Sequence, residues 1–163
     1  MRQPQEPNIE DARKIALRML ESSVRSKREI EQKLQRAGAS EAIVEQVIAE
    51  IEARGLVDDT TFAQDWVEDR ADRKGYGKRR LSLELQRKGI DKTTIQETLD
   101  KVEPEDEKRR ALALIEKKWT NSGEPADISR EKRRLTDYLL RRGFSYDVIR
   151  QVFSELALNF EAD

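Results

Sequence analysis

Between Arg73 and Ile90 the chain reads RKGYGKRRLSLELQRKGI: dense in lysine and arginine, with one acid, Glu84, and a tyrosine between two glycines. Such residues could hold phosphate groups or meet an acidic protein surface. Gly75-x-Gly77-Lys78 has some features of a phosphate-binding loop. The spacing Gly-x4-Gly-Lys-Ser/Thr is missing, and a helical pattern rather than a strand precedes it, so no nucleotide cradle is expected. Asp58-Asp59 could attract a hard cation, as paired carboxylates do. The pair also stands just after Gly55, where a helix should begin, and acids there cap free N–H groups; capping is the expected role. The chain has no His and no Cys, which removes the neutral-pH proton shuttle, thiolate metal ligands and disulfides. No nucleophile–base pair can be assembled without them, although lysine or carboxylate chemistry stays formally open. A non-enzyme with no cofactor and no metal is expected.

The elements that carry these residues are helical. Of 163 residues, 40% are charged and only 36% hydrophobic, and Gly and Pro number 7 and 4. Helices that each bury one narrow stripe fit that balance. Ala12, Ile15, Ala16, Met19 and Leu20 share a face, as do Ile43, Val44, Val47, Ile48 and Ile51, then Phe62, Ala63, Trp66 and Val67. The pattern returns at Ala111, Leu114 and Ile115 and at Val148, Ile149, Val152, Phe153 and Leu156, and no segment alternates with the period of a strand. No run is long enough to span a membrane and the beginning lacks the apolar core of a signal peptide, so a soluble cytoplasmic protein is expected.

Three glycines expose a repeat. Gly38, Gly89 and Gly143 follow Ile30 and Leu34, Leu81 and Leu85, and Leu135 and Leu139 at the same spacing. Ser40, Asp91 or Ser145 stands two residues later, so each glycine reads as a helix stop followed by a new N-cap. Val44, Ile95 and Ile149 and then Ile51, Val102 and Leu156 continue the alignment. The fold class this predicts is all-α: three tandem three-helix repeats in an elongated, curved array. The expected boundaries are a flexible tail over 1–9, repeats over 10–56, 57–103 and 104–158, and a tail over 159–163. The connection between the first and second helices lengthens from Val24–Ser26 through Gly75-Tyr76-Gly77 to Thr120–Asp127.

Charge is distributed in blocks although the net charge is only −1. Glu41 to Asp72 holds ten acids against two basic residues; Arg73 to Lys88 and Arg130 to Arg142 are basic. Such blocks can be solvated faces or ion pairs between repeats. With Leu81 and Leu85 inward, Arg79, Arg80 and Arg87 lie outward around Leu83. With Leu135 and Leu139 inward, Arg130, Arg133, Arg134 and Arg141 face outward near Leu140. Candidate binding residues are therefore Arg73, Lys74, Tyr76, Lys78, Arg79, Arg80, Leu83, Arg87 and Lys88, with Arg130, Arg133, Arg134 and Arg141. Arginine beside an exposed aliphatic group suits phosphates or an acidic protein alike, and composition leaves both open.

Gly55-Leu56-Val57-Asp58-Asp59, then Phe62-Ala63, Trp66-Val67, Arg70, Arg73-Lys74-Gly75-Tyr76-Gly77, Arg80-Leu81, Glu84-Leu85 and Lys88-Gly89-Ile90 resemble the RecX family. The first repeat agrees through Ser26, Glu29-Ile30 and Leu34, and the third through Leu135, Leu139-Leu140, Arg142-Gly143-Phe144 and Ile149. The likeness runs from Ala16 to Leu156. It implies three three-helix repeats and a regulator of the bacterial recombinase RecA, acting in homologous recombination, DNA repair and the SOS response. Members lie in the groove of the RecA–single-stranded-DNA filament, lower its ATPase, strand-exchange and co-protease activities, and bind DNA weakly themselves. The partners implied are the RecA filament and single-stranded DNA, with no membrane, for a monomer. The alternatives are a direct DNA-binding protein using the basic second helices, or a helical scaffold for another partner.

Overall fold

The structure, a computed structural model, describes residues 7–119 and 125–160. Its described residues form nine helices and no strand: α1 Ile9–Ser22, α2 Lys27–Arg36, α3 Glu41–Ala53, α4 Asp59–Lys74, α5 Lys78–Arg87, α6 Lys92–Asp100, α7 Pro104–Glu116, α8 Pro125–Arg141 and α9 Tyr146–Phe160. They follow one another as three three-helix repeats. Residues 1–6 and 161–163 of the expected tails, and 120–124 of the expected long connection, lie outside the described residues. The connection is shorter than its sequence suggested, because Pro125 opens α8. Proline suits a first helical turn, where its missing N–H would have had no partner.

The helix ends follow from local chemistry. Asn8 accepts the Asp11 N–H and starts α1. Ser26 and Glu29 form a reciprocal capping box at α2. Gly38, Gly89 and Gly143 have φ of 89°, 79° and 88°, the left-handed conformation that suits a residue without Cβ. Around each, the same closing bond forms: Ala39 N–H to the Leu34 carbonyl, Ile90 to Leu85 and Phe144 to Leu139, all 3.1 Å. Asp91 then caps α6 through the Thr94 N–H (2.9 Å), and Ser145 caps α9 through the Val148 N–H (3.3 Å), while Ser40 makes no side-chain cap bond. The alignment loosens at Val102, which is half-buried beyond the end of α6. Pro104 stands two residues on, and Glu103 before it is extended (ψ 135°), so α6 cannot run as far as α3 or α9.

Two compact units result. The first contains the chain up to Asp65 together with Leu85–Ile95; the second contains Trp66–Glu84 and the chain from Gln96. The first is built on Ala12, Ala16, Ile30, Leu34, Val44, Val47, Ile48, Ile51 and Val57. The second holds a core of Ala111, Ile115, Leu135, Leu139, Phe144, Ile149, Val152, Phe153 and Leu156. Buried residues of the middle repeat are divided between them, with Phe62, Ala63, Leu85, Ile90 and Ile95 in the first and Val67, Ala71, Leu81 and Leu99 in the second.

Each unit contains one junction between successive repeats, built to the same plan. In the first, the Ser26 hydroxyl donates to the Lys88 carbonyl (2.7 Å) and the Lys27 N–H donates to Asp59 Oδ1 (2.9 Å). In the second, the Gly77 N–H donates to the Arg142 carbonyl (2.9 Å) and the Lys78 N–H to Glu107 Oε1 (2.9 Å). The N-terminus of one repeat's second helix thus meets the C-terminal end of the next repeat's second helix. A carboxylate from that next repeat's first helix caps it. Donor meets acceptor, and the dipoles run head to tail. Of the two adjacent acids at the start of α4, Asp58 caps its own helix through the Thr60 N–H (2.8 Å), whereas Asp59 caps α2. Burial pushes the Asp59 carboxyl above its ordinary pKa.

Candidate interaction surface

The sequence of α5, KRRLSLELQR, sets its orientation. Leu81 and Leu85 are fully buried, so the residues between and beside them turn outward. Leu83 is 50% exposed, and Arg79 and Arg87, one turn to either side, are exposed as well. On α8, Leu135 and Leu139 point inward and Arg130, Arg133, Arg134 and Arg141 are exposed, with Leu140 half-buried. The helical projection therefore places these side chains correctly, but Arg80, expected outward beside Arg79 and Arg87, is half-buried because it turns toward Glu84 and Tyr76.

It does not separate free cations from engaged ones, and the structure does. Arg79, Arg87, Arg133 and Arg141 make no ion pair with any described residue. Arg73 pairs with Asp69 (2.8 Å), and Arg134 pairs with Glu131 (2.9 Å) and reaches the Lys118 carbonyl (3.2 Å). Lys88, in the first unit, binds Glu29 at 2.6 Å. Burial pushes the Glu29 carboxyl up, but the Lys88 ammonium and the Ser26 N–H outweigh it and hold the group below its ordinary pKa.

Arg80 is engaged twice, with Nε 3.5 Å from Glu84 Oε1 and its guanidinium 4.8 Å from the centre of the Tyr76 ring. Tyr76 also carries Arg142 at 5.8 Å, Arg142 lies 5.1 Å from Tyr138, and Lys118 lies 4.9 Å from Tyr138. Cations and rings alternate along Arg80, Tyr76, Arg142, Tyr138 and Lys118, each contact contributing about 0.5–1 kcal/mol at such exposure. Arg142 also donates to the Lys74 carbonyl. On α4, Arg70 stacks on Trp66 at 4.3 Å, and Glu84 accepts the Trp66 indole N–H at 3.1 Å. Glu84 is thus the acid around which Trp66, Arg70 and Arg80 gather. Of this network the sequence singled out only Tyr76 and Arg80 as candidate binding residues. Arg142 and Tyr138 lie 66 and 62 residues from Tyr76 along the chain, and helical periodicity carries no signal over that separation.

The Gly-Tyr-Gly connection holds no phosphate cradle. Its N–H groups are already taken: Gly77 by the Arg142 carbonyl, Lys78 by Glu107 and Arg79 by the Gly143 carbonyl at 3.1 Å. A carboxylate sits where an anion would bind. Gly75 has φ of 60° and makes the turn; Gly77 is needed for another reason. A Cβ there would lie 2.5 Å from the Gly143 carbonyl oxygen. Among the described residues no group of three or more acids could hold a metal, and no helix is long and apolar enough to cross a membrane.

Comparison with known proteins follows the same threefold division. Family models described as the first, second and third three-helix domains of RecX match residues 12–50, 58–99 and 105–153. The regulatory protein RecX of Mycolicibacterium smegmatis is 34% identical over 156 residues, covering 90% of this chain and 83% of that protein. That of Mycobacterium ulcerans is 37% identical over 154 residues, covering 93% and 89%. The crystal structure of RecX from Lactobacillus salivarius superposes with a TM-score of 0.85 at 26% identity, over 92% of this chain and 97% of that one.

Proposed function

Since the chain belongs to the RecX family, we propose that it regulates the RecA recombinase, mainly as an inhibitor. In this reading it binds in the groove of the RecA–single-stranded-DNA filament and lowers ATPase, strand-exchange and co-protease activities. The observation that carries the reading is the set of exposed arginines left without an acid partner among the described residues, Arg79, Arg87, Arg133 and Arg141, on a protein of net charge −1. A filament of protein and phosphate offers acceptors for all of them, whereas the molecule as a whole has no general attraction to polyanions. The regulatory role of its relatives and the absence of His and Cys support action by binding, without catalysis.

Direct DNA binding is the second reading, through the same arginines and phosphate oxygens. Tyr76 and Tyr138 already carry guanidinium and ammonium groups, so they are poor platforms for stacking bases. That favours the filament over bare single strands.

The test is RecA's DNA-dependent ATPase with the purified chain added, beside binding to bare and RecA-coated single-stranded DNA at one ionic strength. Turnover should fall at near-stoichiometric levels, with no hydrolysis by the chain itself. Changing Arg79 and Arg87 to Gln should weaken inhibition by about tenfold or more, at on the order of 1 kcal/mol for each charge-assisted contact. Gln keeps helix propensity, so melting should change little. Unaltered ATPase would sink the reading, and equal affinity for bare and coated DNA would favour the second one.

A further inference from the structure

In the second unit, α5 and α6 enclose an open groove of about 460 Å³. Leu83 and Leu99 supply its apolar surface, Lys78 and Arg79 lie at one end, and Asp100 is the only acid lining it among the described residues. Leu83 is half exposed on a helix whose other two leucines are completely buried, so the fold does not need it for the core. Asp100 accepts the Gln96 side-chain amide at 2.7 Å, while Arg79 has no acid partner among the described residues. The groove is therefore net positive. At the α5 N-terminus the Lys78 N–H is capped by Glu107 and Arg80 is held by Glu84, whereas the Lys78 and Arg79 side chains have no acid partner among the described residues. Two such cations at the positive end of a helix dipole gain from an added anion.

We propose that this groove docks a short acidic segment of a protein partner, one large apolar side chain of which seats on Leu83 and Leu99. The inference rests on the reading of this chain as a binder of a protein, and it names the chemistry that the partner presents. Carboxylates offset the side-chain charges of Lys78 and Arg79, and the apolar anchor covers the exposed leucine. A nucleic-acid backbone matches only the first half of that description. Phosphates gain nothing from Leu83, and Ser82 and Gln96, which line the groove beside Asp100, are neutral.

The absence of cysteine from the whole chain makes the test direct. Leu83→Cys in the full-length protein takes a single polarity-sensitive dye in the groove; Ser154→Cys, on α9 outside it, serves as control. The probes are a synthetic peptide of Glu flanking two Leu, the matching Lys peptide, and an oligo(dT), each at up to about 1 mM, the range of weak single-site contacts. The acidic peptide should shift the emission of the groove dye to the blue saturably, the other two should not, and the control dye on α9 should stay silent. Arg79→Glu should weaken that response at least fivefold, as Leu83→Gln should weaken binding to RecA-coated DNA with no change on bare DNA. Lack of response to the acidic peptide, or an equal response to the Lys peptide or oligo(dT), overturns the proposal. If the dye responds as expected but RecA's ATPase is untouched, the groove stands and the RecA reading falls.

Discussion

Gly143 shows how much one hydrogen atom in place of a methyl can decide. Its φ of 88° is left-handed, and a Cβ there would lie 2.3 Å from the Arg80 backbone nitrogen. Gly55 has a similar φ of 66° with nothing within 4 Å of the same position. The pair separates conformational cost from close approach. Gly55→Ala should cost about 1 kcal/mol, the left-handed penalty alone. Gly143→Ala should cost about 3 kcal/mol or more, because backbone must also move at the junction. Thermal melts by circular dichroism measure both; equal losses would mean that the approach of α5 to Gly143 is not tight in solution. The arginines teach the same lesson in charge. Arg79 and Arg80 are neighbours in sequence, yet the side chain of one is exposed with no partner among the described residues and that of the other is held by Glu84 and Tyr76.

At the scale of elements, the second helices of the first two repeats begin in contact with the repeat that follows. The α5 N-terminus is capped by Glu107 from α7, a carboxylate only 6% exposed. Glu107→Ala should cost about 1–2 kcal/mol, since it leaves the Lys78 N–H without an acceptor. Glu107→Gln keeps an acceptor oxygen and should cost markedly less. Comparable melting of the two variants would remove capping from the account. Asp59 plays the same part for α2, and with only its sequence neighbours in view it looks like half of a double cap for α4. The repeat is thus stabilised by a bond whose two ends lie in different repeats.

For the whole molecule, acid should be a sensitive probe. In the first unit, Arg13 on α1 pairs with Glu50 on α3 through Nε (2.6 Å) and a second nitrogen (2.6 Å). The Arg13 hydrogen bond depresses the Glu50 carboxyl from its ordinary 4.5 to about 2. A carboxylate with a lowered folded pKa contributes stability that is complete above its unfolded pKa and fades as pH falls through the folded value. The pair's contribution should therefore start to decline below pH 4.5 and be gone near pH 2. Both side chains remain partly open to solvent, so screening keeps the effect small. Asp59 opposes it slightly: burial raises its pKa, so its contribution falls as pH rises above the ordinary 3.8 and through the higher folded value. Melting temperatures across that window should drop less steeply for Glu50→Gln than for the parent protein. Identical slopes would show that the ion pair does not form in solution.

Helices, their ends and the threefold repeat were legible in the chain itself, because they depend on side chains three to eight residues apart. Leu81, Leu85 and Gly89 declare a buried face and a left-handed stop without reference to anything distant. The outward direction of Arg79, Leu83 and Arg87 follows from the same period. Tertiary structure alone decided which cations remain free. It placed Glu84 among Arg70, Arg80 and Trp66, brought Arg142 onto Tyr76, and filled the Gly-Tyr-Gly amides with Glu107 and two carbonyls. Arg142, Glu107 and the two carbonyls come from the repeat that follows, and Arg70 and Trp66 reach Glu84 from the neighbouring helix, separations that helical periodicity does not read. A charge becomes available for binding only after the fold has left it unpaired.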